Sequence, residues 1–552
     1  MPHVLPDSLR QLDRRFTEMT GLDAIWQGIL KNRALIVYLA VVGLLSFTYD
    51  LFNFSLNIDS EIHAEGFGPN NGWVMQGRWG MYFLSWLMLP DTVMPFTPML
   101  IAMTGSAVGM FFFLHTLSAT RSTADYLAAP IAMACPVLYF AYYFTTLGYG
   151  LGIGFAVVNI GMYCLTRWTW AGALAAIVMF TFGIGIYQAV LPLITVIFGF
   201  YIIGLLVNGT NTTFVTLCKR SLVFATVLAI AFVCYELIKR WSLHYVNVPY
   251  AAQYLSEFNH FQLSSDYMLP TLQKTWLAAW HYYSGGRIYY LYNLWSLKLL
   301  FCLSLFFTCV KILQSPAKLY LRLLGLLTVL VVLATPMAML VMNAGDMPPR
   351  TMLGVAYVLA GLVFFAASVN SKIVRTVIGV LAITCFYKFT LVNNRYSLAN
   401  HMTWQADREF SVMLMQRMGE VWHKLPPKDI YSKYPMELVG VRELLPTPFI
   451  PHRDVIGTSF YYWSAGDLQR VTDLLLTMGI TDYKPATQQQ RLSVVEQAQA
   501  MPSWPDAGSV DVINGIIVVK VGPYNPHQIV SMCQPPEDKN SFCVKTVPGL
   551  IL

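Results

Sequence analysis

The chain has 552 residues, of which 56% are hydrophobic and 12% charged, with a formal net charge of +7. A soluble protein of that balance would expose large apolar patches, so the composition excludes an ordinary globular protein and points to a polytopic α-helical membrane protein. The small positive excess sits at loop ends, where it signals orientation; no nucleic-acid partner is expected.

Residues 1–32 contain no apolar core of a signal peptide. They repeat Leu9, Leu12 and Phe16, then Leu22, Ile25, Trp26 and Ile29, at helical spacing beside Arg10, Arg14 and Arg15. This predicts amphipathic helices on the cytoplasmic leaflet. At roughly 20 apolar residues per crossing, the chain that follows predicts about 11 transmembrane helices, at 33–54, 97–117, 126–145, 148–166, 169–187, 189–207, 221–238, 291–311, 322–342, 351–369 and 373–391. Under this count Arg121, Arg167, Lys219, Arg220, Lys311, Arg322, Lys372 and Arg375 share the N-terminal side, which is then cytoplasmic, and Lys239 with Arg240 dissents. An odd count places loops 55–96 and 241–290, and everything after about 392, outside. The expected domains are therefore 1–32, a membrane domain 33–391 and a soluble module 392–552.

Between the first two spans, residues 79–89 are too short to cross a membrane, and Trp79 and Trp86 suit a helix at the outer interface. In the tail, Phe410, Met413, Leu414, Met418 and Val421 form a helical stripe, helices are expected at 465–478 and 486–499, and a strand at 436–441. Asn514-Gly515 between two β-rich runs predicts a hairpin with a type I′ turn. The tail is thus expected to be a small α/β domain. Seven of the nine cysteines lie in or beside apolar spans and read as small hydrophobes; no Cys/His spacing resembles a metal site. Cys533 and Cys543 flank a polar loop and are expected to pair as a disulfide if the tail is extracytoplasmic.

The chemistry-bearing residues concentrate in the first outer loop. Asp59 and Glu61 stand two apart just beyond the first span, where either could be a solvated loop acid or a base. Arg78, between Gly77 and Trp79, could grip phosphate oxygens with its planar fork or reach for lipid headgroups. Arg350 closes a loop stiffened by Pro348 and Pro349 and is a second phosphate clamp or a topological arginine. Tyr187 and Gln188 interrupt an apolar run and need polar partners, in a helix or on a substrate. Trp73 and His281, the latter in an aromatic, mildly basic run, complete the candidates for sugar contacts.

Ile58-Asp59-Ser60-Glu61, then Gly72-Trp73, then Gly77-Arg78-Trp79 resemble the first outer loop of the bacterial serotype-converting O-antigen glucosyltransferases, which belong to the GT-C class of polytopic glycosyltransferases. An Asp-Asp pair is usual in that family; here Ser60 intervenes and Glu61 follows. The resemblance implies a hexosyltransferase of the bacterial inner membrane, acting on its periplasmic side with the C-terminal domain on the same side. The donor would be a sugar, glucose or galactose, on undecaprenyl phosphate, and the acceptor an O-antigen or lipid-linked glycan. It also implies inversion at the anomeric carbon, no cofactor, and functional dependence on a flippase and a polyprenyl-phosphate glycosyltransferase. A polyprenyl phosphate leaves without protonation, so one base (Asp59, with Glu61 in reserve) and a cationic clamp (Arg78, Arg350) suffice without a metal. Competing readings are a transporter or flippase of lipid-linked glycan, a glycan polymerase or ligase, and a non-catalytic membrane subunit. A transporter would be expected to show repeated halves, and no repeat is visible.

Overall fold

The computed structural model describes residues 32–64, 71–88, 94–118, 120–208, 212–247, 260–427, 429, 432–452 and 454–533. The amphipathic helices expected within 1–32 lie outside the described residues, apart from Asn32. The chain divides into two compact units. The first comprises Met1–Phe52, Gly68–Pro90 and Met94–Asn394; the second comprises Asn53–Phe67, Asp91–Val93 and Arg395–Leu552.

The first unit is helical. Its elements are α1 (Arg33–Phe52), a single turn Gly72–Met75, α2 (Trp79–Leu87), α3 (Thr97–Leu117), α4 (Thr123–Met133), α5 (Pro136–Tyr142), α6 (Thr145–Leu165) and α7 (Trp170–Ile186). There follow α8 (Val190–Asn208), α9 (Phe214–Tyr245), α10 (Ser265–Ser284), α11 (Trp295–Leu313), α12 (Leu319–Met342), α13 (Gly354–Ala367) and the start of α14 (Lys372–Val421), whose residues from Arg395 belong to the second unit. Among the described residues eight helices are long and apolar enough to cross a membrane: α1, α3, α6, α8, α9, α11, α12 and the longer helix containing α14. The pair α4–α5 would make a ninth crossing, bent by 47°, and α7 and α13 are shorter apolar helices. Each of the eleven expected spans overlaps one of these elements, but two of them, α7 and α13, are shorter than a crossing helix and a third is the bent pair.

The break in the bent pair has a local cause. Pro136 offers no N–H and disfavours helical geometry at Cys135, whose ψ of 123° ends α4. The interrupted ladder would strand the carbonyl of Ala134, and the Asn393 amide donates to it across 3.0 Å. Helix packing elsewhere relies on small residues. A Cβ on Gly105 of α3 would lie 2.3 Å from the Gly152 carbonyl of α6, and one on Gly152 would lie 2.4 Å from the Ala102 oxygen. Burial separates central from peripheral helices: 72% of the apolar window of α8 is buried but only 22% of that of α9. The short α13 is buried throughout, which is why it is apolar on every face.

The C-terminal part of the second unit is an α/β layer, as the tail's sequence predicts. Strands β1 (Tyr434–Val439), β2 (Tyr483–Pro485), β3 (Val510–Ile513) and β4 (Ile516–Lys520) form one sheet in the order β2-β1-β4-β3. β1 is parallel to β2 and β4, while β3 and β4 form an antiparallel hairpin. Asn514 (φ 52°) and Gly515 (φ 77°) both adopt the left-handed geometry of the predicted turn. Helices α15 (Leu468–Thr477), α16 (Gln488–Ala500) and α17 (Pro526–Met532) complete the unit. Val439, Ala486, Val494, Ala498, Ile516 and Val518 pack as one cluster. Phe410, Leu414 and Met418 of the predicted stripe are buried, whereas Met413 is 43% exposed. That stripe is not a separate helix. Between Gly379 and Gly419 the sequence has no proline or glycine, and α14 continues unbroken for 50 residues.

The α3–α6 crossing gives a direct test. Gly152→Ala drives a methyl group into backbone and should destabilise by about 1–3 kcal/mol. Gly419→Ala in α14 meets nothing within 4 Å; it should be neutral or stabilise by roughly 0.5–1 kcal/mol through helix propensity. Thermal unfolding of the purified variants in one detergent distinguishes them; equal melting temperatures would contradict the close crossing.

Candidate functional site

Beyond Phe52 the chain enters the second unit, where α14 anchors it. Asn400 donates to the Ser55 hydroxyl at 2.8 Å and to the Asn57 side-chain oxygen, and Phe54 meets Trp404 edge-on with ring centres 5.6 Å apart. The Ser60 amide donates to the Asn57 carbonyl at 2.9 Å, closing a tight turn. Inside that turn Asp59 has φ 74°, in the left-handed region that costs a non-glycine residue energy and that Asp tolerates better than most. A 3-10 turn, Glu61–His63, follows.

Both acids meet Arg470. One terminal guanidinium nitrogen lies 2.8 Å from Asp59 Oδ1, and the other pairs with Glu61 Oε1. Arg470 sits in the first turn of α15, whose start Asp467 caps by accepting the Gln469 amide at 2.8 Å. The two acids differ in access. The Asp59 side chain is 41% exposed and that of Glu61 is fully buried. Burial pushes the Glu61 carboxyl up to about 7, although Arg470 pulls it back and Asp59 adds to the rise. Burial alone would lower the Arg470 pKa, but the two carboxylates more than offset it and the net shift is upward. Glu61 Oε2 is buried with no hydrogen-bond partner among the described residues.

A second polar group lies within the first unit and unites four of the sequence candidates. The Arg78 guanidinium carbon lies 4.8 Å from the centre of the Tyr187 ring and 5.7 Å from that of Trp73. The Arg78 amide donates to the Trp73 carbonyl at 2.7 Å, just before α2 begins. Gln188 donates to the Gln76 carbonyl at 2.9 Å and to the Tyr235 hydroxyl at 3.0 Å, and Tyr235 donates to the Gly77 carbonyl at 3.1 Å. Gly77 needs its freedom here: its φ is 72°, and a Cβ would lie 2.8 Å from the Tyr235 oxygen and 3.1 Å from Lys239. Lys239 in turn pairs with Glu236 at 2.6 Å. A cation flanked by aromatic faces, next to a backbone fixed by an amide and a hydroxyl group, can bind an anionic group and flank a sugar.

Other expected residues have other neighbours. Arg350 lies over the Phe144 ring, 5.1 Å from its centre. His281 is near the end of α10, where its carbonyl accepts the Gly286 amide at 2.9 Å. Cys533 is disulfide-bonded, and Cys543, its expected partner, lies outside the described residues. Cys135, Cys164, Cys218, Cys234, Cys302, Cys309 and Cys385 are free thiols. Among the described residues no group of three or more His, Cys, Asp or Glu side chains could hold a metal ion.

Sequence reasoning missed Arg470 and Tyr235. Arg470 is over 400 positions from the acids it grips, in an amphipathic helix where an arginine is ordinary. The only signal available was the Asp467 cap, which marks the helix and not its partner. Against known proteins, a family model described as glucosyl transferase GtrII matches residues 48–367. No curated protein and no solved structure matches the chain.

The elevated Glu61 pKa makes a pH prediction. A carboxyl whose folded-state pKa lies above its unfolded value favours the folded state at low pH, and this advantage is lost as pH rises through about 7. Wild type should therefore lose stability relative to Glu61→Gln between pH 5 and 8, by up to about 3 kcal/mol. Paired melting curves across that range provide the measurement, and a pH-independent difference would refute a strained buried carboxyl.

Proposed function

Because the chain belongs to the glucosyl transferase GtrII family, we propose that it transfers glucose, with inversion, from undecaprenyl phosphate to an O-antigen glycan on the periplasmic side of a bacterial inner membrane. The observation that carries this reading is the acid pair within the family-matched stretch: an accessible carboxylate, Asp59, beside a buried one, Glu61, both held on Arg470. The architecture is read as GT-C-like. Eleven crossings result if the bent pair α4–α5 and the shorter α7 and α13 each span, which leaves the C-terminal domain on the catalytic side.

Asp59 is the proposed base because its exposed side chain can reach an acceptor and Glu61 cannot. It takes the proton from an acceptor hydroxyl as that oxygen attacks the anomeric carbon from the face opposite the phosphate. The bond between the anomeric carbon and the phosphate oxygen breaks, and its electron pair leaves on the phosphate. Polyprenyl phosphate is a good leaving group without protonation, so no general acid is needed, unlike in glycoside hydrolysis. The proposed role of Arg78 and Arg350 is to neutralise the charge that develops on the phosphate. Trp73, Tyr187, Gln188 and His281 are assigned to contacts with the sugar. A polyprenyl-phosphate glycosyltransferase and a flippase would supply the donor.

The test is transfer of labelled glucose from polyprenyl phosphate to a lipid-linked O-glycan by the purified full-length protein. Asp59→Asn should keep donor binding and lose transfer by roughly 10²–10⁴-fold, since an amide accepts no proton. Near-normal transfer by Asp59→Asn with a dead Glu61→Gln would move the base to Glu61; full activity in the double variant would remove the acids from the chemistry.

Arg78→Ala should weaken donor binding or turnover by about tenfold or more, the worth of a charge-assisted hydrogen bond to phosphate of about 1.5–3 kcal/mol. Arg78→Lys should recover only part of that, because it restores charge without the planar fork. Unchanged donor titrations in Arg78→Ala would leave this arginine a packing residue.

A further inference from the structure

The stretch matched by the family model ends at residue 367, yet the cation that engages both acids comes from α15, well beyond it. We propose that Arg470 is the positioning residue for the catalytic acids, so that the C-terminal module is a working part of the transfer site. The inference rests on the assignment of Asp59 as base.

Three observations carry it. The first is geometric: separate guanidinium nitrogens address the two carboxylates, an arrangement that a planar fork can make and an ammonium cannot. The second is burial. Arg470 is only 15% exposed and Glu61 not at all, so this is no screened surface contact. The third is the backbone of Asp59. A non-glycine residue at φ 74° persists only where its surroundings over-determine it, and the grip of Arg470 on its side chain supplies part of that constraint.

The arginine itself stands on a rigid base. Leu468, Val471, Leu474 and Leu475 of α15 are buried, leaving the helix little freedom to turn. The segment before α15 is tied to α14 by Asp407, which accepts from the Ser459 hydroxyl at 2.6 Å, the Phe460 amide at 2.8 Å and Arg442 at 3.4 Å. Glu61 completes the clamp from the buried side and holds one arm of the fork. Asp59 keeps 41% of its side chain exposed while held, so the contact orients the base without covering it. A positioned base contributes through alignment, and an alignment loss appears in kcat and not in donor binding.

The experiment uses the full chain and the same transfer assay, with polyprenyl phosphate-linked glucose as donor. Arg470→Ala should lower kcat by roughly ten- to a hundredfold at saturating donor while leaving the donor KM within about twofold. Guanidinium ion added to Arg470→Ala should restore part of the rate, and Arg470→Lys should fall between wild type and Arg470→Ala. Amide hydrogen exchange over residues 57–63 should quicken in Arg470→Ala, which reports the loosened turn without any reference to activity. An unchanged kcat in Arg470→Ala overturns the proposal, as does a raised donor KM at constant kcat, which would make Arg470 a donor ligand. If Arg470→Ala does not fold, Arg470→Lys decides, and wild-type kcat in that variant is equally fatal. Full transfer by Asp59→Asn would instead defeat the base assignment, whereas a dead Asp59→Asn beside a fully active Arg470→Ala defeats only the positioning role.

Discussion

A guanidinium shared by two carboxylates, one of them wholly buried, is the constraint on which the acid turn depends. Its energetics favour definition over stability. Taking Glu61 out of water costs more than its pairing with Arg470 returns, as the upward shift of its carboxyl to about 7 shows. What that cost secures is direction: Arg470 engages one side-chain oxygen of each acid, and Asp59 is held in a backbone conformation it would not choose alone. Removing Arg470 would leave Glu61 buried without its cation, and the acids share that one guanidinium, so the three residues behave as one group and not as additive contacts.

The Arg78 cradle follows a different logic. Its charge is flanked by aromatic faces, and the backbone at Gln76 and Gly77 is fixed by the side chains of Gln188 and Tyr235. The same neighbourhood holds Lys239, one of the two cations that dissent from the expected charge pattern. Lys239 breaks the positive-inside arrangement expected of the spans, but it is paired with Glu236 and lies over the Tyr235 ring.

Within the membrane helices, polar groups serve continuity. Asn393 satisfies the carbonyl that the Pro136 break releases, and Asn159 donates to the Tyr357 hydroxyl at 3.1 Å between α6 and α13. Where no polar device is used, glycines let backbones touch, as at the α3–α6 crossing. These are the two ways a helix bundle can gain cohesion when the surrounding lipid is as apolar as its own side chains.

The apolar segments, the Asn514-Gly515 hairpin, two of the three helices of the C-terminal module and the polar character of the 57–79 stretch were legible in the sequence by itself. Each rests on local information: hydrophobic period, turn chemistry, or an unusual density of polar groups beside a span. The grouping of Trp73, Arg78, Tyr187 and Gln188 was not legible as a group, although each residue stood out, because their contact joins segments over a hundred positions apart. Continuity of α14 past residue 392 was obscured by the change from apolar to polar composition, which marks a change of surroundings and not a helix end. Arg470 left no local trace at all. Only the tertiary structure could decide that an unremarkable arginine of an amphipathic helix closes on Asp59 and Glu61, since ion pairing depends on distance in space and is blind to distance along the chain.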